Sequence, residues 1–188
     1  ALESARPLSQ QFDIIADFQP PLLHLLLHFA ERLSTHEAWM RLWGAFIPGI
    51  ITVFAVIKVT EKVFSKRVAV LTGLLLALSS FHVYFSQELR PYSLPAMWAA
   101  LSWWQLVALT TAKKSSWKVY SLFGMYSWMG LFSSYLYPFL FIGQIIYVVW
   151  QKRTALVPFF ATVIGTSLFY LPWIPTFLRQ LAEGRSVQ

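Results

Sequence analysis

From Val119 to Trp150 the chain runs for 32 residues without a single charged side chain. As one helix, rising ~1.5 Å per residue, that stretch would be roughly 48 Å long, well beyond the ~30 Å of hydrocarbon in a bilayer. Its flanks are basic on both sides, with Lys113, Lys114 and Lys118 before it and Lys152 and Arg153 after it. Lys and Arg collect on the cytoplasmic side of membrane proteins, so a single crossing would strand one cluster on the wrong side. The stretch therefore reads as a hairpin of two short spans turning near Ser133, Ser134 and Pro138.

The rest of the chain has the same character. Only 12% of its residues are charged and 57% are hydrophobic, whereas a water-soluble domain carries about a quarter charged residues. Val68 to Phe85, Ser93 to Ala112 and Thr154 to Ile174 each approach the ~20 residues of a transmembrane helix. Their unbroken apolar character argues against barrel strands, which alternate at period two. The net charge of +7 sits in small clusters between these runs, which reads as orientation and excludes nucleic acid as the partner. Without cysteine there is no disulfide and no thiol nucleophile.

The expected fold is all-α, a polytopic transmembrane helical bundle of about six spans plus a juxtamembrane helix. Residues 1–37 read as an outer loop ending in an amphipathic juxtamembrane helix, opened by Pro20-Pro21 in the manner of a first-turn proline. Residues 38–175 read as the transmembrane module and residues 176–188 as a polar outer tail. Ser34 or Thr35 is placed to cap the first span, Ala38 to Ile57, which Pro48-Gly49 interrupts and whose Arg41 snorkels near its start. This layout puts nine of the 15 Lys and Arg in inner loops (Lys58, Lys62, Lys66, Arg67, Lys113, Lys114, Lys118, Lys152, Arg153) and all carboxylates except Glu61 outside. Ala1 follows no initiator Met or leader, so a preceding segment is expected.

Acid chemistry then belongs to the outer face, and one segment there is dense in polar groups: Tyr84-Phe-Ser-Gln-Glu-Leu-Arg-Pro-Tyr92. Pro91 biases Arg90 toward extended backbone, and on extended backbone Glu88 and Arg90 point to one side. They either pair as an interfacial ion pair, with Tyr84 and Tyr92 as belt anchors, or share a ligand. A guanidinium fork suits a phosphate. His82 either donates to such a phosphate or caps its span. His24 and His28 share a helix face, but no Glu follows the first and no third ligand is evident, so no metal site is assigned. The nine Trp read as lipid contacts and belts, and Gly124, Gly130 and Gly143 as close helix contacts.

Three separated motifs carry a family resemblance. Asp-x-Gln-Pro-Pro-Leu-Leu (Asp17 to Leu23), Glu-Ala-Trp-Met-Arg-Leu (Glu37 to Leu42) and Ser-Ser-Phe-His-Val-Tyr-Phe-Ser-Gln-Glu-Leu-Arg-Pro-Tyr (Ser79 to Tyr92) occur in the order and spacing of the polytopic type C glycosyltransferases. The chain resembles the members of the dolichyl-phosphate-mannose protein mannosyltransferase and aminoarabinose transferase superfamily. Gly130 to Tyr137 is similar to their short turn between two helices.

The resemblance implies transfer of a sugar from a polyprenyl-phosphate donor to a lipid, glycan or protein acceptor. The enzyme would sit in the plasma membrane as a multi-pass protein with its site on the extracytoplasmic face. Asp17 matches the family's acidic residue before the proline pair, and Glu88, Arg90 and Tyr92 match its segment near the donor phosphate; Asp17 and Glu88 are then the candidate catalytic carboxylates, to orient the acceptor, hold a cation or act as base, and Arg90, Tyr92 and His82 the candidate phosphate-binding residues. A divalent cation, magnesium or manganese, is the one cofactor the resemblance leaves open. Two departures stand out: Gln19 replaces the His that usually precedes the proline pair, and the family's first helix with its Asp-Glu pair would lie before Ala1. The rival readings are a transporter or flippase subunit, in which Glu88 and Arg90 gate a pathway, and a non-catalytic membrane scaffold.

Overall fold

The uncharged stretch does fold back on itself. In the computed structural model, which describes Pro7 and residues 18–112 and 116–186, it forms α7 (Trp117–Leu131) and α8 (Pro138–Gln151) around a turn at residues 132–137. Lys152, just past α8, donates from Nζ to the carbonyl of Ala112 at 2.8 Å, so the far ends of α6 and α8 meet as the basic flanks require. Every regular element among the described residues is helical.

The order along the chain is α1 (Leu22–Glu31), α2 (Glu37–Arg41), α3 (Ile47–Val63), α4 (Lys66–Ala77), α5 (Ser80–Phe85) and α6 (Ser93–Thr111). After the α7–α8 hairpin come α9 (Leu156–Leu168) and α10 (Ile174–Ser186). A π turn at Leu42–Phe46 joins α2 to α3, with the Ile47 N–H reaching back to the Leu42 carbonyl. That wide turn absorbs the ring and missing donor of Pro48. The expected interruption at Pro48-Gly49 therefore does not occur, and Glu37–Val63 runs as 27 continuous helical residues.

Two other expectations change, and the tail gains a form. The span anticipated over Val68 to Phe85 is broken at Leu78 and Ser79, because the Ser79 hydroxyl caps a new helix by accepting the His82 N–H. The α2 cap is His36, whose Nδ1 accepts from Ala38 N at 3.3 Å, in place of Ser34 or Thr35. Ile174–Ser186 form α10, so the stretch read in sequence as a polar outer tail, residues 176–188, is helical as far as Ser186, with Pro175 in the first turn, where a proline costs no hydrogen bond.

Within the bundle α3 packs between α4 and α6, α6 between α3 and α7, and α7 between α6 and α9, while α8 leans on α6. Helix α1 is part of this packing. Its Leu23, Leu27 and Ala30, at helical spacing, join Met40, Ala55, Leu94, Met97 and Leu101 in one buried cluster. A second cluster at the other end holds Leu106, Leu109, Phe123, Val148 and Phe159.

Outside these clusters the surface is greasy. Leu71, Leu74, Leu75, Ile142, Ile146, Val157 and Ile164 are all exposed, a sheath that a bilayer covers and water would not. Among the described residues two helices are long and apolar enough to cross on their own, Glu37–Val63 and Arg153–Glu183. With 12, 15 and 14 residues, α4, α7 and α8 fall short of the ~20 needed for an independent crossing.

Candidate active site

The segment from Ser86 to Ser93 is held firmly by its backbone and its apolar side chains. Leu89 packs on Gly44 of the π turn, where a Cβ would stand only 2.6 Å from its Cδ1. Ser86 sits against Gly49 of α3 just as closely, 2.8 Å from a Cβ there to its own Cβ. Arg41 donates from Nε and Nη2 to Glu37 Oε1 at 2.9 and 2.7 Å, and from Nη1 to the Gln87 carbonyl at 2.7 Å. Ser93 Oγ closes the segment by donating to the Phe85 carbonyl at 2.7 Å.

Between these anchors the chain makes two successive γ-turns. The Arg90 N–H donates to the Glu88 carbonyl and the Tyr92 N–H to the Arg90 carbonyl, both at 2.8 Å, centring the turns on Leu89 and Pro91. The polar heads are left over. Among the described residues neither the Glu88 carboxylate nor the Arg90 guanidinium makes an ion pair, and the two do not pair with each other. The bland alternative for this segment, an interfacial salt bridge, is not formed. Arg90 instead opens, exposed, onto a predominantly polar groove of about 400 Å³ walled by Phe18, Gln19, Leu89, Pro91 and Tyr92.

Tyr92 stands where this polar groove meets an apolar one. Its ring packs on Phe85 at 4.6 Å between centroids and Phe85 packs on Phe81 at 4.5 Å, a row of rings along a second groove of about 600 Å³. The two grooves share Pro91 and Tyr92. His82 also lines the apolar groove, but its Nε2 lies 3.3 Å from the Gly49 carbonyl, so that nitrogen is engaged in holding α5 on α3.

The wall opposite Arg90 comes from the start of α1. Leu22 N donates to the Phe132 carbonyl at 3.0 Å, seating the proline-led helix on the α7–α8 turn. Phe18 packs on Tyr135 at 5.2 Å and on Phe177 of α10 at 6.4 Å. Burial pushes the Tyr135 phenol up to about 12, opposed by the hydrogen bond from Trp173, so at neutral pH it is a proton donor. Asp17 lies outside the described residues, but Phe18 and Gln19, directly after it, share the groove with Arg90 and Tyr92. Among the described residues no three His, Asp or Glu gather as a metal cage, and His24 and His28 build none.

Sequence reasoning missed Arg41 and the glycine pair Gly44 and Gly49. A snorkelling arginine and a segment anchor look alike in one dimension, and the partner of Arg41 lies 46 residues on. The Glu37-Ala-Trp-Met-Arg41 motif was the available signal, with its i,i+4 pairing of Glu37 and Arg41. Trp173, read as a belt residue, is buried.

Comparison with known proteins bears on the family. The profile of a known family, described as dolichyl-phosphate-mannose-protein mannosyltransferase, matches residues 18–175. No curated protein and no solved structure matches the chain.

Proposed function

Because this chain belongs to the dolichyl-phosphate-mannose-protein mannosyltransferase family, of the type C glycosyltransferases, we propose that Arg90 and the groove it opens onto hold the phosphate of a polyprenyl-phosphate sugar. The observation that carries this reading is the junction at Pro91 and Tyr92. A polyprenyl phosphate has a greasy tail and an anionic head. Here an apolar channel lined by aromatic rings runs into a polar one, beside a guanidinium with no ion pair among the described residues, the same amphiphilic profile in negative. The protein crosses the plasma membrane about six times in this proposal, with the two grooves at its extracytoplasmic end.

In the transfer step an acceptor hydroxyl, on a lipid, glycan or protein, attacks the anomeric carbon of the donor sugar. The bond from that carbon to the phosphate oxygen breaks and its electron pair leaves with the lipid phosphate, while a carboxylate takes the acceptor's proton. Charge grows on the phosphate, and fixed cations and donors facing it stabilise the transition state, typically by a few kcal/mol each in a water-poor site. Arg90 supplies the cation and Tyr92 a hydroxyl donor. His82 serves by fixing α5, and with it the aromatic row, on α3.

For the proton, Glu88 is the carboxylate beside the groove, and Asp17 precedes its far wall. Among the described residues no three acidic or imidazole groups gather beside Glu88, and Asp17, the other candidate carboxylate, lies outside them. No step is routed through a metal.

The test is turnover with a radiolabelled polyprenyl-phosphate sugar in proteoliposomes, comparing the parent with Arg90→Ala. Loss of transfer together with weakened donor binding is expected. Unchanged transfer and donor affinity in Arg90→Ala would exclude the phosphate role, and a parent that moves no labelled sugar to any acceptor would leave a transporter or scaffold as the better account.

A further inference from the structure

The last helix touches the groove wall from behind. Three hydrogen bonds, all donated in the same sense, link the turn before α10, the α7–α8 turn, α10 and the residues leading into α1: Trp173 Nε1 donates to the Tyr135 hydroxyl at 3.1 Å, Tyr135 donates to Gln180 Oε1, and Gln180 Nε2 donates to the Gln19 carbonyl at 3.4 Å. Gln180 is 1% exposed and Trp173 3% exposed, so this is an interior chain despite its place at the rim. Hydrogen bonds that point the same way polarise one another, and a buried amide stripped of its partners is costly.

The residues it fixes are the ones facing Arg90. Gln19 carries the carbonyl at the end of the chain, and Phe18, half exposed, packs on the pair formed by Tyr135 and Phe177. Both also line the polar groove with Leu89 to Tyr92. The start of α1 is thus sandwiched, Arg90's segment on one side and α10 on the other.

We infer that Gln180 is a positioning residue: by holding the Gln19 carbonyl it sets the width of the groove in which Arg90 receives the donor headgroup, making the C-terminal helix part of the donor site. This rests on the reading of that groove given above. Gln180 touches neither donor nor acceptor. It acts through residues 18 and 19.

Substitution separates the bond of Gln180 to Tyr135 from its bond to Gln19. In Gln180→Glu the carboxylate still accepts the Tyr135 proton but has nothing to donate to Gln19, and its charge faces a carbonyl oxygen. Gln180→Leu loses both bonds. Tyr135→Phe keeps the ring contacts and the Gln180–Gln19 bond.

Since the chain is free of cysteine, the thiol of Gln19→Cys reports the wall directly through its rate of labelling by a membrane-impermeant maleimide. The full chain in proteoliposomes is labelled, and its affinity for polyprenyl phosphate is measured on the same variants without the reporter cysteine. Gln180→Glu and Gln180→Leu are expected to label several-fold faster and to weaken polyprenyl phosphate up to about tenfold, the scale of one lost hydrogen bond. Tyr135→Phe should stay close to the parent in both, although it loses two buried hydrogen bonds, to Trp173 and to Gln180, so generic damage to the cluster would move all three alike.

Unchanged labelling in Gln180→Glu overturns the clamp. Faster labelling with unchanged polyprenyl phosphate affinity overturns its role in the donor site. A parent that does not bind polyprenyl phosphate at all overturns the donor assignment of the groove, and the labelling rates then judge the clamp alone.

Discussion

Arg90 is placed by its neighbours' anchors and, among the described residues, not by any bond of its own side chain. Two γ-turns fix its backbone, while Leu89 and Ser86 are driven against glycines on either side of α3's start. Removing the guanidinium should therefore cost binding and not stability. Arg90→Ala is expected to weaken polyprenyl phosphate by about 10–100-fold, the worth of a charge-assisted pair, with thermal unfolding unchanged. Arg90→Lys keeps the charge but not the fork and should fall between. Arg41 predicts the opposite signature. Its Nη1 holds the Gln87 carbonyl, so Arg41→Ala frees the segment and should lower turnover about tenfold while costing ~1 kcal/mol of stability, seen as a lower unfolding midpoint. A turnover number untouched by Arg41→Ala would mean the segment holds itself. The sequence made Arg90 legible because Pro91 and the adjoining phenols are local to it. Arg41 was not legible in that role, since its function exists only once two stretches 46 residues apart are brought together.

At the scale of elements, close approach depends on glycines that helical periodicity does not mark. Gly49 lets the end of α5 press on α3, and any side chain there meets Ser86. Gly49→Val should cost about 1–3 kcal/mol, as overpacking does, and it should also displace Ser86 and the segment after it, so stability and donor affinity fall together. Gly165 is the internal control, with open space where a methyl group would project: Gly165→Ala should be neutral or stabilise α9 by up to about 1 kcal/mol. Equal unfolding midpoints for the two variants would refute the close-approach account. The glycines picked out from sequence show the same limit. Gly130 does lie under the Tyr137 ring and Gly124 against Thr162, but Gly143 has only an ordinary contact with Trp103. The hairpin was readable because charge placement and length speak to the whole stretch. The break at Ser79 and the unbroken helix at Pro48 were not, because each depends on one local hydrogen bond, a cap in the first case and a π turn in the second.

For the molecule as a whole, the consequential question is whether the two ends of the bundle lie on opposite sides of a membrane. One end gathers the start of α1, the Arg90 segment, the α7–α8 turn and α10 through direct contacts. The other end carries the basic residues that flank α3 and α4, together with Lys152 at Ala112. Helix α3 measures the separation: from Gly49, against Ser86, to Lys62 is 13 residues, or ~20 Å of helix rise. That distance is most of a bilayer's hydrocarbon core, and the cations at its far end belong on the cytoplasmic side. The cysteine-free chain allows the sidedness to be read one position at a time. In sealed right-side-out vesicles an impermeant maleimide should label Glu88→Cys and leave Lys62→Cys untouched until the membrane is opened. Labelling of both positions from the same side would place the polar groove and the basic turn in one compartment. The two grooves would then no longer face the leaflet from which a lipid-linked sugar on the extracytoplasmic side could enter, and the transferase proposal would fail with the topology.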